Sequence, residues 1–228
     1  MALNETIDLS GIWRLRATDR DMACDCPLPG DVHSALLAAG HIRDPYAGRN
    51  ELEVRWVAET DWIAERTFEF APGGRWLLEV DGLDTVAEVA INGETVLSAD
   101  NAFLRHRVDV TAWLRGGDNR IAIHFRSNVA EAARRAALQP WPVPYISWNS
   151  PIAHGNMLRK PACHFGWDWN LAIAPFGVYG RIGLVRADLV RIEHVQAHQH
   201  FQPDGAVEVE VVVSWSAFAA GEADLVVD

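Results

Sequence analysis

Hydrophobic and polar residues alternate along much of the chain with the period of two that is typical of β-strands. The alternating runs are WLLEV (Trp76–Val80), VAEVAI (Val86–Ile91), ETVL (94–97), RVDVTAWL (Arg107–Leu114) and RIAIHF (Arg120–Phe125). Asn92-Gly93 predicts a type I′ hairpin turn, because both central residues of that turn need positive φ. A second turn is predicted at residues 116–119, GGDN. Short strands separated by turn signals, with few helices, predict an all-β fold, an antiparallel β-sandwich.

Two short helices interrupt this pattern, and each carries end signals. In GDVHSALLAAG, Asp31 is placed to cap the N-terminus and Gly40 to end the helix in the left-handed conformation. In SNVAEAARRAALQP, Asn128 and Glu131 have the spacing of a capping box, and Pro140 ends the helix.

The pattern changes twice more along the chain. A proline-rich segment without periodicity runs from Pro140 to about Cys163, and we expect it to be functional or to pack over a site. From Asp188 on, two long strands are predicted around a turn at 203–205, with a third at LVV (225–227). Since an immunoglobulin-type sandwich takes about 100 residues, we expect residues 188–228 to be the first strands of an incomplete one.

The net charge of −11 restricts the partners that we expect. Binding to nucleic acid or to an anionic membrane calls for a basic face, so we expect neither partner. No apolar stretch approaches the roughly 18 residues of a membrane span, and the N-terminus has no signal-peptide pattern. Cys24, Cys26 and Cys163 have no disulfide-framework spacing, so we expect free thiols and a cytoplasmic location. The ten tryptophans are typical of carbohydrate-handling proteins and of aromatic-rich cores alike.

Most candidate reactive residues have an ordinary explanation. His194, His198 and His200 would share one face of a strand and could bind zinc, but a solvated polar face explains them equally well, and we expect no metal. Asn50-Glu51 is the kind of dipeptide that carries the acid/base in many sugar hydrolases, which need two carboxylates. It lies in a polar connector, so a packing or hydrogen-bonding role is favoured. The chain has no Gly-x-Ser-x-Gly elbow and no phosphate-binding glycine loop.

The segment HFGWDWN (His164–Asn170) surrounds one carboxylate with aromatic rings. A packing cluster would bury Trp167 and Trp169 and leave Asp168 to cap local backbone amides. A sugar-binding cleft would use both residue types, because indole stacks on the apolar face of a pyranose and a carboxylate accepts its hydroxyl protons. The residues alone leave both interpretations open.

Several segments, in their order along the chain, carry a resemblance to a known family. They are LSGIWRLR, PLPGDVHSALLAAGHIRDPYAGRNELEVRWVAETDW, VDGLDTVAEVAINGETVL, NAFLRHRVDVTAWLRGGDN and RKPACHFGWDWN. From Leu9 to about Val185 the chain resembles the N-terminal part of the β-mannosidases of glycoside hydrolase family 2. Because the order of the motifs is preserved as well as their residues, the resemblance is specific.

The resemblance implies a jelly-roll sugar-binding domain in residues 1–187 and an immunoglobulin-like domain from residue 188. A (β/α)₈ barrel, which we expect to be missing, would carry the two catalytic glutamates that hydrolyse terminal β-D-mannosides with retention. Trp167 and Asp168 would help to line the pocket for the terminal mannose. We therefore expect a non-catalytic domain, inactive alone and without a cofactor. Its partners would be carbohydrate, the barrel and, through the incomplete C-terminal strands, a second copy of the chain.

Two positions depart from the family pattern, and two other functions fit the sequence. Asn170-Leu171 stands where the family has Gly-Pro, which alters the exit of the Trp-Asp-Trp loop, and Val178-Tyr179 stands where it has Ile-Trp. The alternatives are a free-standing carbohydrate-binding module of jelly-roll fold and a scaffold domain without a ligand. A downstream barrel sequence would decide for the glycosidase, and sugar titration by tryptophan fluorescence would separate the other two.

Overall fold

The computed structural model describes residues 5–222, so the strand predicted at 225–227 lies outside the described residues. The strands are β1 (Thr6–Asp8), β2 (Gly11–Ala17), β3 (Ala23–Leu28), β4 (Gly30–Asp31), β5 (Trp62–Phe70), β6 (Trp76–Asp81), β7 (Leu83–Asp84), β8 (Ala87–Ile91), β9 (Glu94–Ala99), β10 (Arg105–Asp109), β11 (Gly117–Phe125), β12 (Phe165–Trp167), β13 (Asn170–Ala172), β14 (Gly177–Val178), β15 (Ile182–Arg186), β16 (Val190–Phe201) and β17 (Val207–Ala217). The α-helices are α1 (Val32–Ala38), α2 (Asn50–Glu53), α3 (Trp56–Glu59) and α4 (Asn128–Ala137), and the 3₁₀ helices are Thr111–Trp113, Gly155–Met157 and Ala162–His164. None of the helices within residues 5–222 is long and apolar enough to cross a bilayer.

Two sheets with antiparallel pairing face each other and enclose one hydrophobic core. One sheet has the order β1-β15-β6-β10, and the other has the order β3-β2-β5-β11-β8-β9. Leu78 and Val80 on the first sheet and Ile121, Ile123 and Val89 on the second are fully buried. Burial of such a side chain stabilises the fold by about 1.5–3 kcal/mol. The predicted all-β, jelly-roll type of sandwich is confirmed.

Local turn chemistry is confirmed at one predicted hairpin and revised at one predicted strand. Asn92 and Gly93 join β8 to β9 with φ values of 53° and 93°, as a type I′ turn requires. The strand predicted over Arg107–Leu114 is shorter in the structure, where β10 stops at Asp109. The Asp109 carboxylate accepts hydrogen bonds from the amide of Thr111 at 3.0 Å and from its hydroxyl at 2.7 Å, which starts a 3₁₀ turn.

The helix α1 has the ends that the sequence predicts. The Asp31 carboxylate accepts a hydrogen bond from the Ser34 amide at 2.9 Å, and Gly40 adopts a φ of 74° just past the last turn. Two one-turn helices, α2 and α3, lie in the connector that follows and were not predicted. Neither is long enough to show a helical period in the sequence.

The cap of α4 lies one residue before the predicted one. Ser127 is the N-cap, and its hydroxyl accepts a hydrogen bond from the Ala130 amide at 3.0 Å. The Asn128 side chain instead donates to the carbonyl of Ala174 at 3.1 Å. The predicted capping box of Asn128 and Glu131 is therefore wrong, because Ser127 is the cap and Asn128 is already the first residue of the helix.

The two long C-terminal strands, β16 and β17, form the predicted hairpin around residues 203–205. Both strands expose most of their residues on both faces. The backbone leaves the sandwich between the end of β15 and the start of β16, near the predicted boundary. The division into domains 1–187 and 188–228 stays a prediction.

Glu79 on β6 connects the sandwich to this C-terminal hairpin. Its carboxylate lies 3.3 Å from Nε of Arg107 and 3.5 Å from Nη1 of Arg181, and it also forms an ion pair with Arg191 of β16. Arg107 in turn lies 2.7 Å from the carboxylate of Glu193. Glu79 is nearly buried, so this ionic group fixes the start of the hairpin against the sheet.

The three cysteines are free thiols at separate depths. Cys24 and Cys26 are buried side chains of β3, and Cys163 is half-buried directly before the segment His164–Asn170. Burial raises the pKa of the Cys26 thiol to about 12. A thiol with so high a pKa is protonated at neutral pH and unreactive.

Candidate functional site

The Trp-Asp-Trp motif forms the exposed end of a small β-hairpin. Trp167 of β12 pairs with Asn170 of β13, so that Asp168 and Trp169 make the two-residue turn. The side chains of Trp167 and Trp169 are 42% and 69% exposed, and Asp168 is exposed as well. Within residues 5–222, no hydrogen bond or ion pair engages the Asp168 carboxylate. The interpretation in which the indoles are buried and Asp168 caps the backbone therefore does not describe this loop.

The base of the hairpin is rigid because its backbone passes through a crowded place. Gly166 has a φ of 110°, and a Cβ atom there would lie 2.9 Å from Ala172 Cβ, from the Asn149 carbonyl oxygen and from Pro151 Cδ. The Ser150 hydroxyl donates to the Gly166 carbonyl at 3.0 Å. Part of the proline-rich segment thus packs against the hairpin, in agreement with the expectation for that segment.

Asn170 takes over the exit of the loop, where the resembled family has Gly-Pro. Its side-chain amide donates to the Cys163 carbonyl at 2.9 Å. A second bond runs from the Ala174 amide to the His164 carbonyl at 2.7 Å. The two bonds join the segment before the hairpin, residues 163–164, to the residues that leave it, 170 and 174. Asn170 therefore supports the turn where the family has Gly-Pro.

A buried ionic cluster lies directly below the entry to the hairpin. Nζ of Lys160 is 3.0 Å from Oδ1 of Asp84, and both side chains are almost completely buried. Nδ1 of His164 lies 3.3 Å from the other carboxylate oxygen. Burial lowers the pKa of Lys160, and the Asp84 carboxylate opposes that effect. Removal of one partner of such a buried pair typically costs about 3–5 kcal/mol, so the cluster anchors residues 160–164 to β7.

Sequence reasoning did not select Asp84 or Lys160. Each lies in a segment that carries the family resemblance, Gly-Leu-Asp-Thr for Asp84 and Arg-Lys-Pro for Lys160. A lysine followed by a proline next to an apolar segment gives no sign of burial by itself. The signal that could have found the pair is that both residues stand inside the motifs that carry the family resemblance.

A cleft of about 340 Å³ opens beside the base of the same hairpin. Its walls come from α1, from the loop after α1, from β13 and from Tyr179, and it is lined by Asp31, His33, Ser34, Leu37, Asp44, Pro45, Tyr46, His164, Asn170, Leu171, Ile173, Pro175 and Tyr179. The end of the hairpin is not part of the lining, but Asn170 and Leu171 are. The cleft and the Trp-Asp-Trp turn are therefore neighbours that share one strand.

His33 forms part of the wall of this cleft and is 3% exposed. Neither ring nitrogen has a hydrogen-bond partner among the described residues. Burial lowers the pKa of His33 to about 4, against the opposing effect of Asp31 and with a further lowering by Lys160. The imidazole is therefore neutral at physiological pH, with one donor and one acceptor nitrogen.

The other candidates of the sequence do not form a site. Glu51 lies on α2 with its carboxylate 3.8 Å from Nη2 of Arg55, which is the structural role that the sequence favoured. His194, His198 and His200 lie on the exposed strand β16, where His200 is 3.6 Å from the Glu210 carboxylate. In the described part of the chain, no group of three or more His, Cys, Asp or Glu side chains is arranged to hold a metal ion.

Comparison with known proteins relates the whole sandwich to glycosidases. Beta-mannosidase B of Thermothelomyces thermophilus is 35% identical over 193 residues, which cover 81% of this chain and 22% of that protein. A beta-mannosidase of Rattus norvegicus is 32% identical over 205 residues, which cover 86% of this chain and 23% of that protein. The chain thus spans about a quarter of the length of such relatives, and the resemblance to β-mannosidases is confirmed.

Solved structures agree with the sequence relatives. A β-D-mannosidase from Dictyoglomus thermophilum superposes with a TM-score of 0.86 at 26% identity, over 93% of this chain and 26% of that chain. An exo-chitosanase from Amycolatopsis orientalis, 15% identical with a TM-score of 0.61, shares the fold over 91% of this chain and 24% of that one. The family model described as glycosyl hydrolase 2 galactose-binding domain-like matches residues 13–180. Since that match covers more than half of this chain's residues, the chain belongs to the glycosyl hydrolase 2 galactose-binding-like domain family.

Proposed function

We propose that this chain is the non-catalytic N-terminal part of a β-mannosidase-like glycoside hydrolase. In this role, Trp167 and Asp168 complete the pocket that holds a terminal β-mannose unit. The observation that carries it is the free, exposed Asp168 carboxylate between two exposed indoles, at the end of a hairpin with a rigid base. The β-mannosidase relatives support the choice of sugar.

The chemistry of the turn suits a sugar that is held from one side. A carboxylate accepts hydrogen bonds from two neighbouring hydroxyls, and hydrogen bonds to a charged group contribute about 1.5–3 kcal/mol each. An indole beside it covers the apolar face of the ring. Because the base of the hairpin is locked, the backbone of the turn loses little conformational entropy when Asp168 binds, which favours affinity.

The catalytic step belongs to another part of the enzyme. Hydrolysis of a glycoside needs two positioned carboxyl groups about 5–9 Å apart. We assign them to a barrel domain, which the much greater length of the relatives would accommodate. The same proposal gives the protein a reducing, cytoplasmic location, supported by its three free thiols.

The test is Asp168→Asn in a complete β-mannosidase that contains this chain. Asparagine keeps an acceptor oxygen and loses the charge, so we expect kcat/KM for an aryl β-mannoside to fall by about 10- to 100-fold. The melting temperature should stay nearly unchanged, because Asp168 has no intramolecular partner within residues 5–222. Asp204→Asn, in the exposed turn of the C-terminal hairpin, is the control; asparagine keeps the acceptor for the Ala206 amide, and the kinetics should stay unaltered.

Unaltered kinetics in the Asp168→Asn enzyme would overturn the proposed role of the turn. Trp167→Ala should also lower activity, but it removes packing together with binding. The 228-residue chain should not hydrolyse the same substrate. Turnover above background that persists through stringent purification would contradict the non-catalytic assignment.

A further inference from the structure

The cleft beside α1 has the properties of a binding site in its own right. We propose that it binds one neutral, hydroxyl-rich ligand of monosaccharide size, at a position separate from the Trp167–Asp168 turn. This goes beyond the proposed function, because every wall of the cleft comes from this chain and no barrel is needed to form it.

The size and the walls of the cleft suit a single sugar ring. Its volume of about 340 Å³ lies at the small end of the roughly 300–1,000 Å³ of ligand clefts. Leu37 of α1 and Ile173, which directly follows β13, supply apolar surface to the cleft. The carboxylates of Asp31 and Asp44 lie among these apolar groups. A pyranose presents the same mixture, with apolar C–H faces and a rim of hydroxyls.

Partnerless polar atoms in the wall point to a ligand. His33 is more than nine-tenths buried, and neither of its ring nitrogens has a partner in the part of the chain that the structure describes. Such groups are rare, since an unmade hydrogen bond in a buried place costs free energy. A ligand hydroxyl can pair with one of these nitrogens, as a donor to the bare nitrogen or as an acceptor from the protonated one. Burial and the carboxylates of Asp31 and Asp84 raise the pKa of Tyr179, so its hydroxyl remains a donor.

The charges around the cleft disfavour an anionic ligand. Two carboxylates and no lysine or arginine line it, and this arrangement repels phosphates and carboxylates. The Lys160 ammonium behind His33 is paired with the Asp84 carboxylate at 3.0 Å, so it brings no net positive charge to the wall, and glucosamine is the probe that separates a neutral from a cationic ligand. Ligand hydroxyl groups can donate to the Asp44 carboxylate without bringing a charge.

Amide chemical shifts of the ¹⁵N-labelled 228-residue chain provide the test. The probes are D-mannose and methyl β-D-mannoside, with mannose 6-phosphate and glucosamine as the anionic and cationic comparisons. We expect saturable shifts for the neutral sugars at Ser34, Leu171 and Tyr179, and none that saturate there for the charged probes.

Two variants examine the assigned groups. Asp44→Asn should weaken the binding of the neutral sugars by about 10-fold, because a charged acceptor is lost while the acceptor for the Tyr46 amide is kept. His33→Gln should weaken it by a similar factor, and its spectrum shows directly whether the fold is retained. Asp118→Asn, an exposed carboxylate on β11 far along the chain from the cleft, is the control and should bind as the parent does.

Three results would overturn the inference. They are the absence of saturable shifts for both neutral sugars, shifts confined to residues 167–169, and saturation only by a charged probe. Each of them leaves the proposed function standing, because that function is judged by the kinetics of the complete enzyme. Conversely, normal kinetics of the Asp168→Asn enzyme would leave the cleft inference standing.

Discussion

His33 and Asp168 each have polar side-chain atoms without a hydrogen-bond partner within residues 5–222, and the two side chains lie in opposite environments. The Asp168 carboxylate faces solvent, where water satisfies it and a ligand can replace the water. The His33 imidazole is enclosed, so the fold accepts an unsatisfied group in that wall. A residue of this second kind lowers stability under any condition that favours its charged form.

The burial of His33 should make folding stability depend on pH. Its pKa is about 4 in the folded protein against an ordinary 6.5. Between these values the unfolded chain takes up a proton and the folded chain does not, so stability is complete above about pH 6.5 and falls toward pH 4. We expect a loss of about 2 kcal/mol between pH 7 and pH 5 from this residue.

Urea unfolding of the parent chain and of His33→Gln at both pH values measures this effect. Other histidines titrate in both proteins, so they cancel in the difference between the two pH dependences. The His33→Gln chain should lose about 2 kcal/mol less than the parent. Equal losses would show that His33 takes up its proton without resistance.

At the scale of single elements, the sequence predicts what neighbouring residues determine. The Asn92-Gly93 turn and the Asp31 cap depend on residues within a few positions, and both are correct. The cap of α4 is missed by one residue, because the Ser127 hydroxyl takes the capping position while the Asn128 side chain turns to the carbonyl of residue 174, a contact without a local signal. Strand β10 ends early for a local reason that the alternation pattern concealed, the turn in which the Asp109 carboxylate accepts from the Thr111 amide.

The candidate site divides in the same way. Trp167 and Asp168 could be selected as candidates, since the motif is contiguous and carries a family resemblance, but the residues alone left their exposure open. The cluster of Asp84 with Lys160 joins residues that are far apart in sequence, and so does the cleft between His33 and Tyr179. The pairing of β14 with both β4 and β7 brings His33, Asp84 and Tyr179 near one another, and the Lys160 side chain joins them through its bond with Asp84.

Gly166 provides a test of how tightly the hairpin is held. Gly166→Ala introduces a Cβ atom 2.9 Å from three neighbouring atoms at a φ of 110°. Gly73→Ala is the matched control, because Gly73 has a φ of 135° with nothing within 4 Å of the added atom. Both variants carry the backbone strain, but only the first adds a steric clash. We expect Gly166→Ala to lose about 1–3 kcal/mol more in the free energy of unfolding. Equal losses in urea titrations would mean that the base of the hairpin yields easily.

On the scale of the whole molecule, the chain combines a closed sandwich with an open C-terminal hairpin. Strands β5 and β11 are each paired on both sides and bury alternate residues. Strands β16 and β17 pair only with each other in the described part of the chain, and their valines on one face are largely exposed. Unpaired edges of this kind are available to further strands, including those of a second copy.

Amide hydrogen exchange should separate these two parts. We expect the amides of β16 and β17 to exchange much faster than those of β5 and β11, because the hairpin has few buried apolar contacts to hold it closed. Protection of the hairpin that rises with protein concentration would indicate strand pairing between two copies. Slow exchange throughout the hairpin in a proven monomer would contradict both expectations.

Glu79 has a consequence for anyone who shortens this protein. A cut after Ala187, at the end of the sandwich backbone, removes Arg191 and leaves the carboxylate with Arg107 and Arg181. An isolated sandwich that retains residues as far as Arg191 keeps all three arginine partners of Glu79. The last strand of the sandwich ends at Arg186, whereas the ionic group around Glu79 extends to Arg191.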